Sequence, residues 1–134
     1  MINSRNKGAG AERELSKLLY DELGVKLLRN LEQSRDGGHD LLAEHGSLLD
    51  GYAIEVKRYA NVSMAMLKGF WQQAIGQAAN GNKIPVLMYR QDRQDWLAVI
   101  PLHVINGNLS ESNHFDSVAI LNLSAFCAVV RERG

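Results

Sequence analysis

The segment Ile54-Glu55-Val56-Lys57 carries the residue types with the clearest potential for chemistry. Successive side chains of a β-strand point to opposite faces, so Glu55 and Lys57 would project from the same face. The carboxylate can ligate a hard cation such as Mg²⁺, and the ammonium group can position water or stabilise charge on a phosphate. Such pairs are also common on solvated strands, so the pair alone does not establish this chemistry.

Asp40 offers a second carboxylate, because it opens the strand that precedes the strand of Glu55. Two neighbouring oxygen ligands suit a divalent cation whose shell is completed by water and substrate phosphate. The register decides whether Asp40 takes part, since it must align with Glu55 or Lys57 rather than with Val56. Otherwise Asp40 merely ends a turn, and the sequence leaves this alternative open.

Glu12 is the third candidate acid, because it shares a helical face with Leu15 and Leu19, whereas Arg13 and Glu14 fall away from that face. An acidic side chain that points inward is costly unless it is paired or bound to metal. The alternative is that Glu12, near the helix start, reaches solvent or is favoured by the positive end of the helix dipole.

Gln73 and Gln77 lie four residues apart on the flank of a second predicted helix. They could face the same site and orient water or phosphate, although a solvated helix edge explains them equally well. Phe70 and Trp71 of this helix are interpreted as core residues rather than as base-stacking platforms.

Helices, strands and turns that would position these residues follow from periodicity and from Gly, Pro and capping residues. Their order predicts an α/β fold in which helices flank a mixed central β-sheet. The predicted elements are a helix over 9–23, a strand over 25–29, a loop over 33–39, a hairpin of strands 40–44 and 52–58, a helix capped by Ser63 that ends near 80, strands over 84–90 and 95–100, an exposed loop over 105–117, a strand over 118–122 and a helix over 124–133.

The chain of 134 residues, 46% of them hydrophobic, is expected to form one domain over 1–134. It has neither an apolar run of about 18 residues nor a signal-peptide core, so a cytoplasmic location is expected. The net charge of zero argues against a protein that coats nucleic acid by charge alone. Cys127, the single cysteine, is expected in the core, and among the histidines only His39 lies beside a candidate acid.

Several ordered segments together resemble the archaeal-type Holliday junction resolvases of the PD-(D/E)XK nuclease superfamily. The similarity spans about residues 5–100, and residues 103–134 form an extension without a counterpart. The matching segments are residues 7–15, 28–29, 40–43, 53–57 and 84–87, followed by the strand around Trp96.

The resemblance implies a restriction-endonuclease-like core, a homodimer, and Mg²⁺-dependent hydrolysis of DNA, four-way junctions included, with Mn²⁺ able to replace Mg²⁺. It implies that Glu12, Asp40 and Glu55 are metal ligands and that Lys57 is the catalytic lysine. It also implies that Arg13 and Arg29 contact phosphate. Lys7 and Arg35 are further candidates for DNA contact, and Ser34 is a candidate accessory residue.

Two positions depart from the family pattern. His39 stands where the superfamily motif has proline, and residues 30–34 differ from the small, serine-bearing loop of the resolvases. Two alternatives therefore stay open beside a junction resolvase. One is a restriction- or repair-type endonuclease acting on linear or single-stranded DNA, and the other is a nucleic-acid-binding module that has lost catalysis.

Overall fold

One mixed β-sheet organises the computed structural model, which describes residues 4–30 and 40–134, with side chains from residue 8 onward. Its strands follow the order β1-β2-β3-β4-β5-β6, and every neighbouring pair is antiparallel except β3 and β4. The elements are α1 (Ser4–Leu23), β1 (Leu27–Arg29), β2 (Leu41–Ala43), β3 (Tyr52–Tyr59), α2 (Met64–Asn80), β4 (Ile84–Gln91), β5 (Leu97–Pro101), α3 (Leu102–Ile105), a 3₁₀ turn (Phe115–Ser117), β6 (Val118–Asn122) and α4 (Leu123–Arg133).

Two apolar layers cover the two faces of this sheet. On one face, Leu15 and Leu19 of α1 and Phe126 of α4 pack in a cluster that includes Ile54 and Val56 of β3. On the other face, α2 packs its buried residues against β4 and β5, in the cluster Leu67, Trp71, Ala74, Leu87, Tyr89 and Val99. Because helices cover both faces, most of β3 is buried, and Glu55 lies in the interior with it.

The α/β fold with a mixed sheet and flanking helices confirms the predicted fold class. The antiparallel pairing of β2 with β3 confirms the expected hairpin, and Ser63 caps α2 as predicted, accepting a bond from Met66 N. Gly24, with φ of +69°, ends α1 because glycine tolerates this left-handed backbone.

Several predicted boundaries were wrong. Helix α1 begins at Ser4 rather than at residue 9, because Gly8 and Gly10 lower helix propensity without interrupting the helix. Strand β1 begins at Leu27, β5 begins at Leu97, and the region expected as a loop over 105–117 contains the end of α3 and a 3₁₀ turn. The predicted loop over 33–39 lies outside the described residues.

The C-terminal region belongs to the sheet and the core rather than lying apart from them. Strand β6 pairs with β5, and α4 contributes Phe126, Cys127 and Val130 to the core. Burial raises the pKa of the Cys127 thiol to about 11, as expected for an inert core residue. In the described part of the chain, no helix is long and apolar enough to cross a membrane.

Candidate active site

Asp40 lies where β2 meets the middle of β3. Leu41 pairs with Ile54, and the Asp40 amide donates to the Ile54 carbonyl at 2.9 Å. The Asp40 side chain also takes part in the pairing, because its Oδ2 accepts the Val56 amide at 2.6 Å. The carboxylate is thereby fixed alongside the backbone of Glu55, which is the neighbour that the metal-site hypothesis required.

Glu55 projects from the face of β3 that α2 covers, and 1% of the residue is exposed. Neither of its carboxyl oxygens accepts a hydrogen bond from a described residue, and Lys57 Nζ lies 3.7 Å from Oε2. Burial and the negative charge of Asp40 raise its pKa to about 8, although the Lys57 cation acts in the opposite direction. Burial without hydrogen-bond donors destabilises the charged form of an acid.

Glu12 approaches the same acids from α1. It is half-buried, and its Oε1 accepts a hydrogen bond from Arg29 Nε at 3.2 Å. Burial raises the pKa of Glu12, the Arg29 hydrogen bond partly offsets that effect, and the charge of Asp40 raises the pKa further. Glu12 in turn contributes to the raised pKa of Glu55, so acids from three separate elements interact electrostatically.

As placed in the structure, these three acids nevertheless do not form a complete metal-binding site. Across residues 8–30 and 40–134, no three His, Cys, Asp or Glu side chains are placed to hold a metal ion as they stand. Glu12 is turned to Arg29, and one Asp40 oxygen is bound to the Val56 amide. The donor set still fits a hard cation, since Mg²⁺ commonly takes one or two carboxylates and keeps several waters.

Lys57 shares the face of Glu55 and is largely covered, with 19% of its side chain exposed. Its Nζ lies 5.3 Å from the centroid of the Phe70 ring, within the range of a cation–π contact. The amine is therefore held between the Glu55 carboxylate and an aromatic ring on α2.

Phe70 packs against the core cluster of α2, as expected, but at its edge. Trp71 is fully buried, but Phe70 is only half-buried and stacks on the exposed Tyr59, with centroids 5.2 Å apart. Phe70 lies at the edge of the apolar stripe of α2, where its ring meets the end of β3. Tyr59 escaped the sequence reasoning, although period-2 alternation from Glu55 and Lys57 places it on their face.

Glu14 lies off the buried face of α1, as expected, and 40% of its side chain is exposed, but it also makes long-range contacts. Its Oε1 accepts hydrogen bonds from Trp96 Nε1 at 2.8 Å and from Arg90 Nη1 at 3.0 Å. Arg90 Nε also donates to the Gln94 carbonyl, in the turn between β4 and β5. This cluster links α1, the helix that carries Glu12, to the end of β4 and to Trp96, which directly precedes β5.

The other predicted site residues are distributed around the acids. Arg13 is exposed on α1, Arg29 donates through Nε to Glu12, and the contact of both arginines with phosphate stays a prediction. Gln73 is exposed on α2, Gln77 is half-buried there, and their part in the site stays a prediction. The side chain of Lys7 and the residues Ser34, Arg35 and His39 lie outside the described part of the chain.

Comparisons with known proteins found a protein of similar sequence and a solved structure of similar fold. "Protein D14" of Escherichia phage T5 is 25% identical over 114 residues, which cover 74% of this chain and 71% of that protein. Among solved structures, the Holliday junction resolvase Hjc of Archaeoglobus fulgidus, an archaeal hyperthermophile, is similar with a TM-score of 0.48. It is 19% identical, and the match covers 90% of this chain and 87% of that chain.

A family model described as "Phage putative PDDEXK endonuclease" matches residues 3–125. The match includes every acid of the candidate site and Lys57, and it extends well into the C-terminal region for which the sequence had offered no counterpart. It also confirms the resemblance to the PD-(D/E)XK superfamily, whose nucleases generally use divalent metals. Because the match spans most of the chain, the protein belongs to this family of phage PDDEXK endonucleases and is a nuclease of the PD-(D/E)XK type.

Proposed function

We propose that the chain is a Mg²⁺-dependent endodeoxyribonuclease that hydrolyses phosphodiester bonds at Glu12, Asp40, Glu55 and Lys57. One observation carries this proposal. The Glu55 carboxylate is buried without a hydrogen-bond donor among the described residues, and it lies beside a second acid and a lysine. A carboxylate in that state is costly unless a cation completes its environment.

The acids divide the work of holding that cation. Neither Glu55 oxygen accepts a hydrogen bond from a described residue, and Asp40 has a second oxygen, Oδ1, besides the Oδ2 that binds the Val56 amide. Glu12 would be a third ligand if its carboxylate turned from Arg29 toward the other two acids. When bound, the divalent ion lowers the pKa of a coordinated water and neutralises phosphate charge. Mn²⁺ can replace Mg²⁺, because carboxylate and water ligands suit both ions.

Lys57 and the arginines would act on the phosphate. The Lys57 ammonium, held near Glu55 and Phe70, donates hydrogen bonds to the attacking water or to a phosphate oxygen. Arg29 is released for phosphate binding when Glu12 turns away from it, and Arg13 is already exposed on α1. Such contacts position the DNA backbone without reading its sequence.

For the substrate, we propose branched DNA such as a four-way junction, cut by a homodimer that brings one site to each of two strands. The sequence similarity to junction resolvases supports this choice. The different residues 30–34 favour a second candidate, an endonuclease of the same superfamily that acts on linear or single-stranded DNA.

A cleavage assay separates these candidates. The parent and Lys57→Ala are incubated with a four-way junction, a flap, a linear duplex and a single strand, in Mg²⁺ or in EDTA. Lys26→Ala is the matched control, because Lys26 is an exposed lysine outside the candidate site. We expect Mg²⁺-dependent cutting, strongest on the junction, that is lost in Lys57→Ala and retained in Lys26→Ala.

Two results would count against the proposal. Full activity of Lys57→Ala would remove the assigned site, and binding of DNA without any Mg²⁺-dependent cutting would leave a non-catalytic binding module. Preferential cutting of linear or single-stranded DNA would replace the junction with the second candidate substrate.

A further inference from the structure

The face of β3 that carries Glu55 and Lys57 continues to Tyr59. Because alternate residues of a strand share a face, these three side chains form a row of carboxylate, ammonium and aromatic ring. The strand ends at Tyr59, where the residue is 41% exposed. An aromatic surface thus opens to solvent directly beyond the proposed catalytic lysine.

Phe70 of α2 supports this aromatic surface from within. Its ring and that of Tyr59 lie 5.2 Å apart with their planes only 20° from parallel. Lys57 Nζ lies 5.3 Å from the Phe70 centroid, so Phe70 contacts both the lysine and Tyr59. Any phosphate that Lys57 contacts would therefore bring its attached nucleotide close to the Tyr59 ring.

Aromatic rings beside a cation are suited to one class of ligand in a nuclease, the face of a nucleobase. Stacking of bases on aromatic side chains tolerates any sequence, because every base has a π-face. Bases inside a continuous duplex present only their edges in the grooves, so a base must be unpaired and unstacked before an aromatic side chain can take it.

We propose that Tyr59, supported by Phe70, is a stacking site for an unpaired nucleobase adjacent to the scissile phosphate. The inference rests on the proposed function and narrows its substrate class. The enzyme would favour DNA whose nucleotides at the cut are unpaired, as at flaps and single strands, or can unpair readily, as at the branch point of a junction, over a continuous duplex.

A plain packing role for the aromatic pair makes a different prediction. In that case Tyr59 only closes α2 over the end of β3, and any apolar residue of similar size would serve. The informative substitutions are therefore Tyr59→Leu, which keeps apolar bulk but removes the π-face, and Tyr59→Trp, which keeps it. Tyr20→Leu is the matched control, because Tyr20 is another exposed tyrosine, at 55%, on α1.

The test compares kcat and KM on a flap substrate and on a continuous duplex for the parent and these three variants. We expect Tyr59→Leu to raise KM on the flap roughly tenfold, in line with the loss of one stacked base, and to leave duplex cleavage unchanged. Tyr59→Trp should keep the preference of the parent, and Tyr20→Leu should match the parent on both substrates.

A binding measurement supplies a second readout. After the cut is mapped, 2-aminopurine replaces the unpaired base next to it, and binding is followed with Ca²⁺ in place of Mg²⁺. Stacking on Tyr59 should quench the 2-aminopurine fluorescence in the parent and Tyr59→Trp complexes but not with Tyr59→Leu. A Tyr59→Leu enzyme with the parent's preference and the parent's quenching would overturn the stacking site while leaving the proposed nuclease intact. Absence of cutting by the parent on every substrate would instead remove the proposed function and this inference with it.

Discussion

Two acids, the partly exposed Glu14 and the buried Glu55, show how differently the chain treats negative charge. Glu14 has its charge met by Trp96 and Arg90, which hold α1 against the sheet. Glu55 is more deeply buried, yet no described residue donates a hydrogen bond to its carboxylate. A satisfied acid of this kind serves the fold, whereas an unsatisfied one is retained at a cost to stability and therefore points to function.

The largest contrast should appear in catalysis. Glu55→Gln keeps the size of the side chain but removes the charge that would bind the cation, so we expect cleavage to fall by roughly two to three orders of magnitude or more. Glu14→Ala leaves that charge in place and should retain kcat within about threefold of the parent. Cleavage rates at saturating DNA and Mg²⁺ measure both effects. The comparison breaks down if the two variants lose activity equally.

Stability should respond to pH in the direction set by Glu55. Its pKa of about 8 in the folded protein exceeds the unfolded value of 4.5, so the folded state binds the extra proton between these values. The contribution of Glu55 to the stability of the metal-free protein should therefore be greatest below about pH 5, fall as pH rises toward about 8, and level off above it.

Urea unfolding in EDTA across this pH range provides the test. Glu55→Gln should flatten the pH dependence and, near pH 8, be more stable than the parent by roughly 2–4 kcal/mol. Added Mg²⁺ should restore stability to the parent by binding the folded state, but not to the variant. If the stability of the metal-free parent protein instead rises between about pH 5 and 8, that result would contradict the raised pKa of Glu55.

A smaller effect is expected from breaking the Glu14 cluster. Glu14→Ala leaves the Trp96 and Arg90 donors without their acceptor, and we expect a loss of about 1–2 kcal/mol, because the cluster is partly exposed. Arg90→Ala should cost less, since Trp96 would keep its bond to Glu14. Thermal or urea unfolding near neutral pH measures both, and equal stability of all three proteins would mean that the cluster does not anchor α1.

How much of this could be read from the sequence depends on the range of the interaction. Alternation within β3 predicts correctly that Glu55 and Lys57 share a face, and Ser63 correctly marks the start of α2, because both signals are local. The placement of Asp40 could not be predicted, since it depends on one strand pair and on a side chain that takes the Val56 amide.

Contacts between residues that are distant in sequence could not be predicted either, because helix and strand patterns are local. Trp96 lies 82 residues from Glu14 in sequence, and only the folded sheet brings its indole N–H to that carboxylate. The same holds for the stacking of Phe70 on Tyr59, because the helical position of Phe70 predicts a core residue but does not predict its contact with β3. Helical periodicity shows which side of a helix is apolar, but it does not show which residue of another element contacts the edge of that side.

We propose that the buried Glu55 carboxyl group, which accepts no hydrogen bond from a described residue, is kept to bind a divalent cation. Calorimetric titration of Mg²⁺ or Mn²⁺ into the DNA-free protein near pH 7, in two buffers of different ionisation enthalpy, tests it most directly. We expect the parent to bind the ion with release of about one proton, Glu55→Gln to lose at least tenfold in affinity together with the proton release, and Glu14→Ala to match the parent. Equal affinity and equal proton release in the parent and Glu55→Gln would contradict it.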